Sequence, residues 1–165
     1  MKHPVTAKKS FGQHFLNDHN IAKKIADSLQ FVDNDTCIVE VGPGTGALTK
    51  HLVDKTSNLV LVELDKESVD YLHCQEEYHG VRILEQDFLK LPLHSLSREP
   101  LSVIGNFPYN ISGPLFFKAL EERTMLKEWV GMFQYEVIQR IVSSPGSKVY
   151  GILSVLLQAY FETEL

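Results

Sequence analysis

The sequence predicts an α/β fold in which a mostly parallel central sheet carries helices on both faces. Five short apolar runs have the length and the β-branched content of buried strands. Segments with helical periodicity or helix-capping residues separate most of these runs, which indicates repeated β-α units. Such units place successive strands in parallel and cover the two faces of the sheet with helices. A chain of 165 residues is enough for one domain and buries roughly 70% of its unfolded surface.

The first predicted strand, residues 37–41, is followed by a glycine-rich loop at 42–46 and a helical segment at 47–53. The other predicted strands are the apolar runs at 59–62, 81–84, 101–104 and 129–133. All five are short, and turn residues bound several of them, as expected of strands in the interior of a parallel sheet.

Capping residues and periodicity define the helices. Asp18 is placed to cap a first helix, in which Ile21, Ile25 and Leu29 fall on one face. A polar-faced helix is predicted at 66–78. Ser112, with a proline two positions later, is typical of the cap and first turn of a helix that runs to about residue 123. The last helices are predicted at 136–142 and 152–161.

The composition, with 44% hydrophobic and 22% charged residues, is that of an ordinary soluble globular protein. No apolar run approaches the roughly 20 residues of a membrane helix, and the N-terminus lacks the apolar segment of a secretory signal. Two isolated cysteines, Cys37 and Cys74, fit a reduced cytoplasmic protein, and the histidines show no metal-ligand spacing, so no metal is predicted. The net charge of −5 argues against a surface that binds nucleic acid everywhere, but it allows local basic patches.

Candidate ligand-binding groups follow the first three strands, at the edge where an α/β sheet binds its ligand. Gly42, Gly44 and Gly46 let the backbone approach a ligand closely after the first strand. Glu63 comes 21 positions after Gly42, a spacing typical of a carboxylate that accepts hydrogen bonds from ribose hydroxyls. Asp87, after the third strand, is placed to bind an adenine amino group, with Phe88 beside the ring. Each residue alone also fits a simple structural role, in a tight turn, a solvated loop or a turn cap.

The fourth strand leads into Asn106, Phe107, Pro108 and Tyr109, a combination suited to gripping an exocyclic amine on a flat base. The Asn106 side-chain oxygen and a carbonyl at Phe107 or Pro108 would accept the two N–H hydrogens, which favours a pyramidal nitrogen whose lone pair points at an electrophile. Pro108 would fix the turn and Tyr109 would stack on the base. An ordinary turn that closes a strand is the alternative interpretation.

The glycine loop alone does not separate a dinucleotide from S-adenosylmethionine, since Gly42, Gly44 and Ala47 also satisfy the dehydrogenase pattern. Glu40, inside the first strand, would repel a pyrophosphate but tolerate a cationic ligand. The amine-gripping residues have no evident role in hydride transfer. The residues therefore favour a methyltransferase that acts on an exocyclic amine.

The chain resembles the ribosomal RNA adenine dimethyltransferases, and among them most closely the bacterial enzymes that act on the small subunit. Six motifs in order carry this resemblance over essentially the whole chain: FGQHFL (11–16), VEVGPGTG (39–46), VELD (62–65), QD (86–87), NFPYNIS (106–112) and PGSKVYG (145–151). The resemblance implies a Rossmann-like, S-adenosylmethionine-dependent methyltransferase domain. It also implies transfer of two methyl groups to N6 of each of two adjacent adenines in a hairpin near the 3′ end of 16S ribosomal RNA, with a role in ribosome biogenesis.

Carried over to matching positions, the resemblance implies a cofactor site of these residues: His14, Leu16, Gly42, Glu63, Asp87 and Asn106. Gly44 joins this set from the loop geometry, and Asn106 with Tyr109 would also handle the target adenine. Gln13 would lie in a segment that closes over the site. The chain departs from the family at three positions. His14 stands where some relatives carry Asn, Phe107 where Leu is common, and Tyr135 where Lys is expected.

The family continues through two more strands and a small helical domain, so residues 1–165 are expected to be a truncated methyltransferase domain whose sheet has one unpaired edge. Lys8, Lys9 and Lys148 are candidate contacts to RNA phosphates. The expected partner is the small ribosomal subunit, with no membrane and no metal, and the expected protein is a cytoplasmic monomer. Three alternatives remain open: a large-subunit RNA methyltransferase of the antibiotic-resistance type, a non-catalytic small-subunit assembly factor, and a dinucleotide oxidoreductase.

Overall fold

A computed structural model describes Val5 and residues 16–165. Within this part of the chain, five strands form one parallel sheet in the order β3-β2-β1-β4-β5. The strands are β1 Ile38–Val41, β2 Leu59–Glu63, β3 Arg82–Glu85, β4 Leu101–Asn106 and β5 Leu126–Met132. The predicted parallel α/β architecture is confirmed, and each predicted strand overlaps an observed one. The strand order reverses between β1 and β4, which places a ligand crevice at the carboxyl ends of these two strands.

In the described part of the chain, five α-helices surround the sheet: α1 His19–Asp27, α2 Lys66–His73, α3 Ser112–Glu121, α4 Tyr135–Ile141 and α5 Ile152–Tyr160. Asp18 caps α1 as predicted, because its carboxylate accepts hydrogen bonds from the first-turn amides of Asn20 and Ile21 at 2.8 and 3.2 Å. Short 3₁₀ turns fill several of the connections, including 88–90 after β3 and 109–111 before α3.

The buried face of α1 differs from the predicted one. Ile25 packs into the core and Leu29, just beyond the helix, packs against it, but Ile21 is 40% exposed. Ala22 and Ala26 are instead fully buried. Alanine lets the helix backbone approach the sheet closely, so α1 rests on β4 and β5 through its small residues. A pattern that counts only large apolar side chains does not detect this face.

Two further predictions are corrected. The segment 47–53 forms mixed helical turns around a 3₁₀ turn at Thr49–His51, not an α-helix, because hydrogen bonds of the i→i−3 and i→i−4 types alternate along it. Ser112 is the first residue of α3 and not its cap, which is Ile111. The Ser112 hydroxyl donates instead to the carbonyl of Tyr109 at 3.2 Å.

Alternate strand residues point into two hydrophobic clusters on opposite faces of the sheet. One cluster contains Val39 and Val103 and is covered by α3 and the turns at 88–96. The other contains Leu61 and Ile104 and is covered by α1, α2 and the 47–53 turns. A third cluster joins α3, α4 and α5 beyond the sheet. Because β1, β2 and most of β4 are buried along their length, the carboxyl ends of these strands form a fixed platform.

Candidate active site

A cavity of about 220 Å³ lies at the carboxyl ends of the central strands, at the predicted crevice. Its lining includes these residues of the predicted cofactor and amine sites: Leu16, Gly42, Gly44, Glu63, Asp87, Asn106, Phe107, Pro108 and Tyr109. Gly46, the third glycine of the loop, does not line it. His14, Gln13, Lys8 and Lys9 lie outside the described residues. Lys148 is exposed on the loop between α4 and α5 and does not line the cavity.

The glycine loop requires glycine for two different reasons. Gly42, Gly44 and Gly46 have φ angles of +66°, +56° and +84°, in the left-handed region that other residues rarely adopt. At Gly46 space is also lacking, since a Cβ atom would lie 2.3 Å from the hydroxyl of Tyr78. That hydroxyl donates to the Gly46 carbonyl at 3.1 Å and fixes the far end of the loop. At Gly42 the space beside the backbone is open.

Glu63 connects the ends of β1 and β2. One of its carboxylate oxygens accepts from the amide of Gly44 at 3.0 Å, and the other accepts from the amides of Leu64 and Asp65 at 2.9 Å each. The side chain is only 4% exposed, and burial raises the pKa of Glu63, an effect that these three amides oppose. Glu63 therefore holds the glycine loop in place and also lines the cavity, a double role that its spacing in the sequence did not indicate.

Glu40, the third residue of β1, also lines the cavity, and it is 1% exposed. Its Oε2 atom has no hydrogen-bond partner among the described residues. Burial raises the pKa of Glu40 to about 8, and the negative charge of Glu63 raises this pKa further. The nearby Thr49 hydroxyl lowers it, although the two groups do not meet with normal hydrogen-bond geometry. The described lining contains no Lys, Arg or His. A buried acid with no described cation nearby suits a positively charged ligand and disfavours a pyrophosphate.

Asp87 both caps a turn and lines the cavity. Its Oδ1 atom accepts from the amide of Leu89 at 3.0 Å, which makes it the cap of the 3₁₀ turn at Phe88–Lys90. The role of Asp87 as a turn cap is therefore confirmed. Its contact with an adenine amino group stays a prediction. Phe88 lies beside Asp87 in the cavity lining, with its ring edge-on to Trp129 at 5.8 Å.

Residues 106–109, called here the 106–109 loop, form the opposite side of the cavity. Asn106 ends β4, and Tyr109 is 40% exposed beside it. Phe107 is 1% exposed and stacks on Phe133 at 4.5 Å between ring centroids, while its amide donates to Met132 at 3.2 Å. The side chain of Phe107 is thus an anchor in the core, and its carbonyl is the part that the predicted amine contact needs.

Two glycines that the motifs did not single out create the space for this anchor. Gly105 and Gly131 are register partners on β4 and β5. A Cβ atom at Gly131 would lie 2.2 Å from the Gly105 carbonyl and 2.4 Å from the Phe107 ring. Two small residues within apolar strands are the only sequence signal of this arrangement, and their pairing appears only once the register is known.

Two negative findings apply to Val5 and residues 16–165. No group of three His, Cys, Asp or Glu side chains in this part of the chain is arranged to hold a metal ion. None of its helices has the length and apolar character needed to cross a bilayer.

Comparison with known proteins identifies the family. The profile of the ribosomal RNA adenine dimethylase family matches residues 5–165. The chain belongs to this family. It is 48% identical over 161 residues to ribosomal RNA small subunit methyltransferase A of Flavobacterium johnsoniae, which covers 97% of this chain and 61% of that relative.

Solved structures of similar proteins confirm the Rossmann-like methyltransferase fold. A dimethyladenosine transferase from Plasmodium falciparum matches with a TM-score of 0.76 and 26% identity, covering 88% of this chain and 52% of that one. The 23S rRNA methyltransferase ErmE shares the fold, with a TM-score of 0.66 at 24% identity over 77% of this chain and 50% of its own. This member of the adenine dimethylase family spans about 60% of the length of the curated relatives that it matches.

Proposed function

We propose that this chain is the S-adenosylmethionine-binding domain, residues 1–165, of an enzyme that dimethylates N6 of two adjacent adenines near the 3′ end of 16S ribosomal RNA. The observation that carries the proposal is the composition of one cavity. An acidic side without a described cation faces the 106–109 loop, whose polar groups suit an exocyclic amine. Similarity to a small subunit methyltransferase along 97% of the chain supports the choice of substrate.

The residues present fit this cofactor. The unpartnered Glu40 carboxyl suits its positive charge, Glu63 has the position for its ribose hydroxyls, and Asp87 has the position for its adenine amino group. Gly42 leaves room for close approach of a ligand to the backbone, and Gly44 lines the same cavity. Leu16 adds an apolar surface to the same cavity, and His14 is proposed to complete the site. When bound, the cofactor supplies an activated methyl group on a sulfonium.

The 106–109 loop would prepare the amine. The Asn106 side-chain oxygen and the carbonyl at Phe107 or Pro108 accept the two N–H hydrogens, so the nitrogen lone pair is directed away from the ring. Stacking on Tyr109 returns roughly 1–3 kcal/mol toward the cost of moving the adenine out of its stack. No base has to act before the attack, because the amine becomes acidic only as the new bond forms. The proton then leaves to water. Positioning is therefore the main contribution of the protein.

Three alternatives receive less support. A dinucleotide would bring a pyrophosphate next to Glu40 and Glu63 with no described Lys or Arg in the lining to neutralise it. A large-subunit substrate is favoured only by a likeness to ErmE at 24% identity, which concerns the fold alone. A non-catalytic assembly factor would not need an intact amine site. The retained Asn106 and Tyr109 favour chemistry, although binding to the immature small subunit is compatible with it.

The RNA-binding residues and the setting are also proposals. Lys8, Lys9 and Lys148 would contact phosphates, which predicts that binding weakens steeply as salt is raised. A ribosomal substrate places the protein in the cytoplasm, and the expected state is a monomer.

The test is methyl transfer from labelled S-adenosylmethionine to small ribosomal subunits that lack adenine dimethylation, with large subunits as the substrate control. We expect label on the small subunit and none with Asn106→Ala. Because this chain spans about 60% of its relatives, the assay is run in parallel with a chain extended to the relatives' length. Label on the large subunit alone would refute the choice of substrate, and absence of label from both chains would refute the enzyme.

A further inference from the structure

Glu40 occupies a position where a charged side chain is costly. It is the third residue of β1, between register partners Leu61 on β2 and Ile104 on β4, both fully buried. Its own side chain is 1% exposed, and its Oε2 atom has no hydrogen-bond partner among the described residues. A buried carboxylate with an unpartnered oxygen is strongly disfavoured, so the group adopts its neutral form unless a positive charge arrives.

The described groups around Glu40 do not supply that charge. Glu63 on β2 is acidic and disfavours a second negative charge nearby. Tyr78, from the turn at Glu76–Tyr78, is a neutral phenol whose hydroxyl is occupied by the Gly46 carbonyl. Thr49, from the 47–53 turns, offers only a hydroxyl. The remaining described acid of the cavity is Asp87, and the described lining has no Lys, Arg or His.

We propose that Glu40 is the residue that recognises the positive charge of the cofactor, and that it is neutral in the empty cavity and gives its proton to the solvent when the cation binds. This inference rests on the proposed cofactor and adds a proton to its binding equilibrium. Binding of the cation would release one proton, whereas a neutral ligand of the same cavity would release none.

With a pKa of about 8 in the empty cavity, Glu40 is more than about nine-tenths protonated at pH 6.5. A cation bound against its carboxylate lowers that pKa, so about one proton leaves per ligand bound. The apparent affinity for the cation should then rise about tenfold from pH 6 to pH 7, because fewer protons compete for the carboxylate.

Glu63 is the other acid whose pKa burial raises, and a ligand pair separates the two. 5′-Methylthioadenosine keeps the adenine, the ribose and a thioether but carries no positive charge. Any proton that ribose binding displaces from Glu63 appears with both ligands. The difference between S-adenosylmethionine and 5′-methylthioadenosine therefore reports on Glu40. At pH 6.5 the ligand's own amino group, with an ordinary pKa of about 7.7–8.0, stays largely protonated.

The experiment is titration calorimetry of both ligands at pH 6.5 in two buffers of different ionisation enthalpy, with the parent chain and Glu40→Gln. The amide has nearly the shape of the protonated acid, so this variant is expected to fold. We expect about one more proton released by S-adenosylmethionine than by 5′-methylthioadenosine in the parent chain, and no difference in Glu40→Gln.

The outcomes separate this inference from the proposed function. S-Adenosylmethionine that binds the parent chain without extra proton release overturns the role of Glu40 and leaves the cofactor assignment intact. Equal proton release by Glu40→Gln and the parent chain does the same. If neither ligand binds, the proposed cofactor is wrong and the inference is overturned with it. The comparison of ligands on the parent chain decides the question even without the variant.

Discussion

Replacement of Gly131 on β5 by alanine should displace the 106–109 loop, because the new methyl group crowds the Phe107 ring that anchors this loop in the core. The new Cβ atom would lie 2.2 Å from the Gly105 carbonyl and 2.4 Å from the Phe107 ring, where ordinary contacts are 3.4–4 Å. Relief requires a shift of about 1 Å, and Phe107 has no free space because it is 1% exposed and stacked on Phe133. The strand backbone or the anchor ring must therefore move.

The expected cost follows from this geometry. Overpacking typically costs 1–3 kcal/mol, and the clash with a backbone carbonyl places Gly131→Ala near the upper end, at about 3 kcal/mol. For a chain of 165 residues this corresponds to a Tm lower by roughly 6–12 °C. A displacement of about 1 Å in the 106–109 loop can also reduce methyl transfer on the order of 100-fold.

Calorimetric unfolding and the methyl-transfer assay test this prediction, with Gly113→Ala as the matched control. Gly113 lies in the first turn of α3, and a Cβ atom there meets nothing within 4 Å. The control should be unchanged or up to about 1 kcal/mol more stable, since alanine favours a helix. If Gly131→Ala keeps the parent Tm and activity, the anchor beneath the 106–109 loop is not what positions it.

Four further outcomes are expected. Asn106→Ala should nearly abolish methyl transfer, while the affinity for the cofactor, measured by calorimetry, stays within about tenfold of the parent value. A fully active variant would refute the role of Asn106 in binding the amine. Glu63→Ala should weaken cofactor binding roughly 10- to 100-fold, because it removes an acceptor of charged hydrogen bonds and releases the glycine loop; unchanged affinity would contradict both roles. Lys118→Met should cost about 3 kcal/mol, since it breaks a buried pair of 2.6 Å with Glu122, and adding Glu122→Gln should recover part of that loss in denaturant unfolding. For Glu40, the pKa is raised from 4.5 to about 8, so the folded chain holds a proton that the unfolded chain has lost, and stability falls as the pH rises across this window. Glu40→Gln should therefore match the parent Tm at pH 4.5 and exceed it at pH 9; the same Tm difference at both pH values would show that Glu40 does not titrate in this way.

The sequence by itself determined the parallel α/β architecture and several of the residues that line the cavity. Short β-branched runs that alternate with helical segments have few other packing solutions, and in a parallel sheet the residues after each strand meet at one edge. Gly42, Glu63, Asp87 and Asn106 could therefore be grouped from their places in the chain, and the structure brings all four to one cavity. The chemical roles of these residues stay predictions.

Only the tertiary structure decided which atoms are satisfied and which are not. Glu63 accepts hydrogen bonds from three amides, and the one from Gly44 ties it to the glycine loop. Glu40, also buried, has an oxygen without a partner among the described residues. The space for Phe107 depends on Gly105 and Gly131, which are 26 positions apart in the chain and become neighbours through the register of β4 and β5. Hydrogen bonding and close packing depend on distances between residues remote in sequence. A local pattern can therefore predict where a side chain lies, but not whether its partners reach it.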